Sequence, residues 1–96
     1  MYAGNPPTGL HVVNNLPTYL KVAWNPTSLA QSYTAQLVQL NGVVVGKYTL
    51  PATSGTPYAN WGMNGIPHAG WSYHVQVWAN PTYSGGPHAT LLVSVP

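Results

Sequence analysis

Apolar residues recur at every second position along this chain, in short runs separated by Pro, Gly and Asn. A period of two puts alternate side chains on one face of a strand, so the pattern predicts an antiparallel all-β domain. Leu10 and Val12 alternate with His11 in a first strand that follows the lead-in Asn5-Pro6-Pro7. Leu20, Val22 and Trp24 share one face of a second strand, with Lys21 and Ala23 opposite, and Asn25-Pro26 ends it. Tyr33, Ala35 and Leu37 form the inward set of a third, with Thr34 and Gln36 facing out. Asn41-Gly42 lies between apolar runs and predicts a two-residue type I′ hairpin, a turn that needs positive φ at both positions. Val43, Val44 and Val45 then begin a return strand that Tyr48 and Leu50 continue as far as Pro51. A weaker strand is expected around Tyr58 to Met63. The clearest alternation sets Tyr73, Val75, Val77 and Ala79 against His74, Gln76 and Trp78. Ala89, Leu91, Val93 and Val95 close the domain, with His88, Thr90, Leu92 and Ser94 opposite. There is no helical periodicity of useful length and no internal repeat.

Ninety-six residues suit one domain, 1–96, with 1–6 as an extended lead-in, and a hydrophobic share of 45% is ample for one core. Charge changes the picture more. The chain carries two Lys (Lys21 and Lys47) and no Arg, Asp or Glu, so its pI near 9.1 reflects two ammonium groups rather than a basic patch. Nucleic-acid binding and adhesion to anionic membranes both need clustered cations, and neither is expected here. With no cysteine there is no disulfide framework, and no apolar run approaches a membrane span. The start lacks the basic and apolar regions of a signal peptide. Asn25-Pro26-Thr27 and Asn80-Pro81-Thr82 resemble glycosylation acceptors, but the central proline disqualifies both. Without carboxylates the usual route of acid unfolding is removed, so the melting midpoint should change little between neutral pH and about pH 3. A large fall over that range would reject the idea.

Three segments in order carry a family resemblance. They are Leu20-Lys21-Val22-Ala23-Trp24-Asn25-Pro26, then Ser32-Tyr33-Thr34-Ala35, then Ile66-Pro67-His68-Ala69-Gly70-Trp71-Ser72-Tyr73-His74-Val75-Gln76-Val77-Trp78-Ala79. From about Pro6 to Val95 the chain resembles fibronectin type III domains. Their second strand ends in a buried Trp before a proline-rich turn, and a Leu-Pro-Gly turn leads into Tyr-x-Val-x-Val-x-Ala. The gap from Pro67 to Tyr73 is slightly longer than usual, and the charges that decorate the family's outer faces are missing. The resemblance implies a two-sheet antiparallel immunoglobulin-like sandwich of about seven strands in fibronectin type III topology. Trp24, Tyr33 and Tyr73 would be structural core, and Tyr73 a corner tyrosine whose hydroxyl bonds nearby backbone. The Arg-Gly-Asp loop of some integrin-binding members is absent, its place taken by Asn80-Pro81-Thr82-Tyr83-Ser84-Gly85-Gly86-Pro87.

Catalysis is not expected, because paired-carboxylate and Ser-His-Asp chemistry both need acids the chain lacks. No cofactor motif is present. His11, His68, His74 and His88 have no compact metal-ligand spacing, and the bland reading, exposed polar positions, is preferred to a metal site. Trp78 falls on the outer face by alternation. A hairpin closed by the loop from Asn80 to Pro87 would bring it near His88, and Gln76 near Thr90. Thr34, Gln36 and Tyr48 would extend that face, and His74 would share it. An aromatic ring among Gln, Thr and His suits sugar stacking or protein contact; equally, a loop or a neighbouring domain would cover it. Trp61 and Trp71 are expected to pack partially at the sandwich ends, and Tyr83 sits at a loop tip whose Ser and Gly flanks resemble binder paratopes.

Taken together, these features lead us to expect an extracellular or cell-surface accessory module. Its partners would be other domains of a parent protein, as in polysaccharide-degrading enzymes, or, for a natural or engineered binding module, a polysaccharide met by Trp78 and its neighbours or a protein ligand met by the loop from Asn80 to Pro87. Self-assembly through open sheet edges is the third reading.

Overall fold

A computed structural model describes residues 6–27, 29–53, 55–81 and 88–96. Among the described residues seven strands form: β1 (His11–Leu16), β2 (Tyr19–Ala23), β3 (Ser32–Gln39), β4 (Val44–Pro51), β5 (Tyr58–Trp61), β6 (Ser72–Asn80) and β7 (Ala89–Ser94). They pair antiparallel in two sheets, a three-stranded one ordered β1-β2-β5 and a four-stranded one ordered β4-β3-β6-β7. The chain is therefore a two-sheet antiparallel β-sandwich of immunoglobulin-like build.

The inner layer follows the alternation. Leu20, Val22, Tyr33, Ala35, Leu37, Tyr73, Val75, Val77, Ala79 and Val93 are all buried, and Trp24, just past the end of β2, is wholly buried. Trp24 meets Tyr33 edge-to-face, with centroids 5.5 Å apart, a geometry that adds about 0.5–1.5 kcal/mol beyond the area it hides. Two core tyrosines turn their hydroxyls onto backbone. The Tyr73 hydroxyl accepts from the His68 N–H at 2.7 Å, and that of Tyr33 accepts from the Thr27 N–H at 2.8 Å. Each bond ties a loop outside the sheets to a ring inside the core and satisfies an amide that packing would otherwise strand.

Several local expectations fail. Asn41-Gly42 is not a two-residue type I′ turn: only Gly42 has positive φ, at 93°. Gly42 N–H donates to the Gln39 carbonyl at 2.9 Å and Gln39 N–H to the Val43 carbonyl at 2.8 Å, closing a three-residue loop, Leu40-Asn41-Gly42. The positive-φ pair sits instead at Asn64-Gly65 (58° and 73°), where Ile66 N–H reaches the Met63 carbonyl at 3.1 Å. That turn, bridged from Met63 to Ile66, comes directly after β5, which stops at Trp61 rather than running on to Met63. In the first strand Leu10 packs on the core but Val12 is 38% exposed, because β1 is an edge strand and its register slips between Val12 and Asn14. Trp61 is not a partly packed end residue; at 8% exposure it belongs to the core. Tyr48 does not extend the outer face, since it pairs with inward Ala35 and leans over the sheet edge.

Candidate functional site

The outer face of the four-stranded sheet is laid out by register. Thr34 of β3 lies beside Trp78 of β6, Gln36 beside Gln76, and Val38 beside His74. On β7, Thr90 neighbours Gln76 and Leu92 neighbours His74. The β4 edge contributes Thr49 opposite Thr34 and Lys47 opposite Gln36. Polar contacts knit the upper rows. Asn80 Nδ2 donates to Thr34 Oγ1 at 2.9 Å, Thr34 and Thr49 hydroxyls meet at 3.2 Å, and Gln36 Nε2 donates to Gln76 Oε1. Thr34, expected outward, is outward yet buried beneath these partners.

Trp78 and His88 stack at 4.2 Å between centroids and 19° between planes, while Lys47 Nζ stands 5.6 Å from the indole centroid. His88 reaches the ring from the β7 side and Lys47 from the β4 side, so the indole is flanked from both directions and only partly exposed. Of the site residues read from the sequence, Trp78, His88, Gln76 and Thr90 come together. His74 shares the face as expected, one row beyond Gln76 between Val38 and Leu92 and so on the side away from Trp78. Tyr83 lies outside the described residues, as does the loop around it. Among the described residues no three His, Cys, Asp or Glu side chains gather where a metal could be held. His68 lies on Trp71 at 4.7 Å, and Trp71 remains 48% exposed at the end of the sandwich.

A second site, which the sequence reading missed, opens at the seam between β4 and β5. Tyr19, Tyr48 and Trp61 line a cleft of about 450 Å³, together with Asn60, Asn64 and Lys47. Two glycines give the walls their form. A Cβ on Gly46 would lie 2.6 Å from Cδ1 and Nε1 of Trp61, and one on Gly62 would lie 2.7 Å from Cδ1 of Tyr19, so both rings rest on bare backbone. Tyr48 meets Trp61 edge-to-face at 6.0 Å and accepts from the Asn60 N–H at 2.8 Å. Burial, with lesser help from the neighbouring phenols of Tyr58 and Tyr19, pushes the Tyr48 hydroxyl above its ordinary pKa, against the Asn60 N–H, which favours the phenolate. Tyr48 is thus a neutral donor and acceptor at physiological pH. Alternation alone could not locate this cleft, because it is built across two sheets; the Trp61-Gly62 and Gly46 positions were the available hint.

No family model matches the chain, and no curated protein sequence matches it either. Its fold is similar to that of a solved structure described as a computer-based redesign of a beta sandwich protein. The two are 18% identical, over 95% of this chain and 96% of that one, with a TM-score of 0.67. At that identity the likeness is one of fold.

Proposed function

We propose that the chain is a non-catalytic fibronectin type III-like module of a secreted or cell-surface protein, serving as a spacer or accessory domain between others. The observation that carries this reading is the path of the chain through the sandwich. Thr8 lies at one end, its carbonyl accepting from the Asn25 N–H at 2.8 Å, and Val95 lies at the other, its carbonyl accepting from the Gly70 N–H at 3.2 Å. Asn15 Nδ2 on the Ser94 carbonyl places the ends of β1 and β7 side by side, so both strands run toward the same end. A chain that comes in at one end of a body 41 Å long and goes out at the other holds its neighbours apart. The strand order and the Tyr73 hydroxyl on backbone support the family reading, and the lack of any Asp or Glu supports the non-catalytic one. Two copies joined in series should scatter as an extended pair, with a maximum dimension close to twice the 41 Å axis. A compact, folded-back pair would count against the spacer.

The Trp78–His88 stack with Lys47 beside it favours a second reading, a carbohydrate- or protein-binding face on the outer sheet. Its flanking makes it a weaker stacking platform than a bare indole, since a ligand must displace one neighbour to reach a ring face. Glycan binding that disappears in Trp78→Ala would establish it, and binding that persists would remove it.

A further inference from the structure

The cleft at the β4–β5 seam has the size and lining of a ligand site, since small-molecule pockets run roughly 300–1,000 Å³ and combine apolar walls with a few placed polar groups. We propose that it binds a carboxylate-bearing sugar ring, of the uronic acid class. Each part of that ligand meets a group in the cleft. Tyr19, only partly buried, offers flat aromatic surface to the apolar face of a pyranose, with the largely buried Trp61 behind it as apolar lining. Asn60 and Asn64 bring amides that both donate to and accept from hydroxyls. The Tyr48 hydroxyl accepts from backbone and keeps its own proton to donate.

Lys47 selects the charge. The chain has no Asp or Glu, so no side-chain carboxylate can neutralise its ammonium. That ammonium rests over Trp78 at 5.6 Å, a weak contact when exposed to water, on a flexible side chain of a residue that also lines the cleft. A carboxylate at the cleft mouth would be the first true counter-ion it meets. The same ammonium repels a quaternary amine, which three aromatic rings alone would otherwise attract. A neutral sugar would use the walls and leave the charge idle. The site is independent of the spacer reading, which needs no ligand; it shares Lys47 with the Trp78 face on the outer side of the sheet, so the two sites compete for one ammonium.

The test is a titration followed by NMR, using a trigalacturonate and the neutral galactotriose as probes, with melting midpoints confirming that each variant folds. The acidic trisaccharide should bind about fivefold more tightly, the ratio that one exposed ion pair supports. That preference should vanish in Lys47→Gln and at about 1 M salt, where the screening length is about 3 Å. Tyr19→Ala should weaken both sugars and Trp78→Ala neither. Binding should also shift the Trp78 indole resonance, as Lys47 leaves it, in wild type and not in Lys47→Gln. Equal affinity for the two sugars would overturn the proposal, and so would a preference that survives Lys47→Gln. Binding lost in Trp78→Ala but kept in Tyr19→Ala would move the site to the outer face, and no shift at Tyr48 or Trp61 with either sugar would leave the cleft without this function.

Discussion

Along one long seam of the sandwich, β1 lies against β7, and the Asn15 side-chain amide donates to the Ser94 carbonyl at 2.9 Å. Along the other, β5 faces β4, and the link is the Tyr48 hydroxyl on the Asn60 N–H at 2.8 Å. The bonds are equally short, but the side chains that make them are not. A two-carbon amide bridges its gap with a short side chain. A phenol spans its gap with a whole ring, which then stands edge-on to Trp61 and leaves a cleft beside it. Both seams solve the same problem, unpaired backbone on edge strands. One does so with a short amide and the other with aromatic props, and the second leaves a concavity with polar groups around it.

Substitution can break that comparison. The largest effect is expected at Trp61, the prop with the most buried surface. Trp61→Ala should cost about 3–5 kcal/mol, as truncation of a core aromatic does, read from the urea midpoint. A loss below about 1 kcal/mol would mean the open seam contributes little to stability. Gly46→Ala should come next at about 1–3 kcal/mol, because its Cβ would press on a buried indole 2.6 Å away. Asn15→Ala, at the amide seam, should cost about 1 kcal/mol or less, the net worth of one hydrogen bond near solvent. If it proved the costliest of the three, the amide seam and not the propped one would hold the sheets in register.

The same contrast shows what was legible in the sequence. Tyr73, Val75, Val77 and Ala79 lie on a strand flanked on both sides, so every inward residue is hidden and alternation maps directly onto burial. Val12 and Tyr48 lie on edge strands, where a slipped register or an absent neighbour frees a side chain from its nominal face. The two Asn-Gly pairs make the point for turns. The dipeptide permits positive φ at both positions but does not compel it. Asn41 is instead held by its own side chain, whose Oδ1 accepts from the Val43 N–H at 3.1 Å, while Asn64 takes the left-handed conformation. Alternation puts Trp78 on the correct face and the hairpin puts His88 beside it, but its flanking by Lys47 depends on β4, a strand far away in sequence and not paired with β6. The cleft depends on both sheets at once, and no single strand encodes it.

The smallest expected effect is the most specific to the propped seam. Burial raises the Tyr48 pKa in the folded chain, whereas the unfolded phenol ionises at its ordinary value of about 10. As pH climbs past that value the unfolded chain releases its proton first. It then binds fewer protons than the native one, and stability falls with rising pH. Below that range both states keep the proton and the contribution is fully present. Other tyrosines and both lysines also titrate in alkali, so the informative quantity is the difference between wild type and Tyr48→Phe. Denaturant midpoints taken from about pH 8 to pH 11 should fall more steeply for wild type than for the variant. Tyr48→Phe should itself be slightly less stable at neutral pH, because the Asn60 N–H loses its acceptor. Parallel curves would show that the Tyr48 phenol is hydrated as freely in the folded chain as in the unfolded one, so that the ring leans on the seam without being desolvated by it.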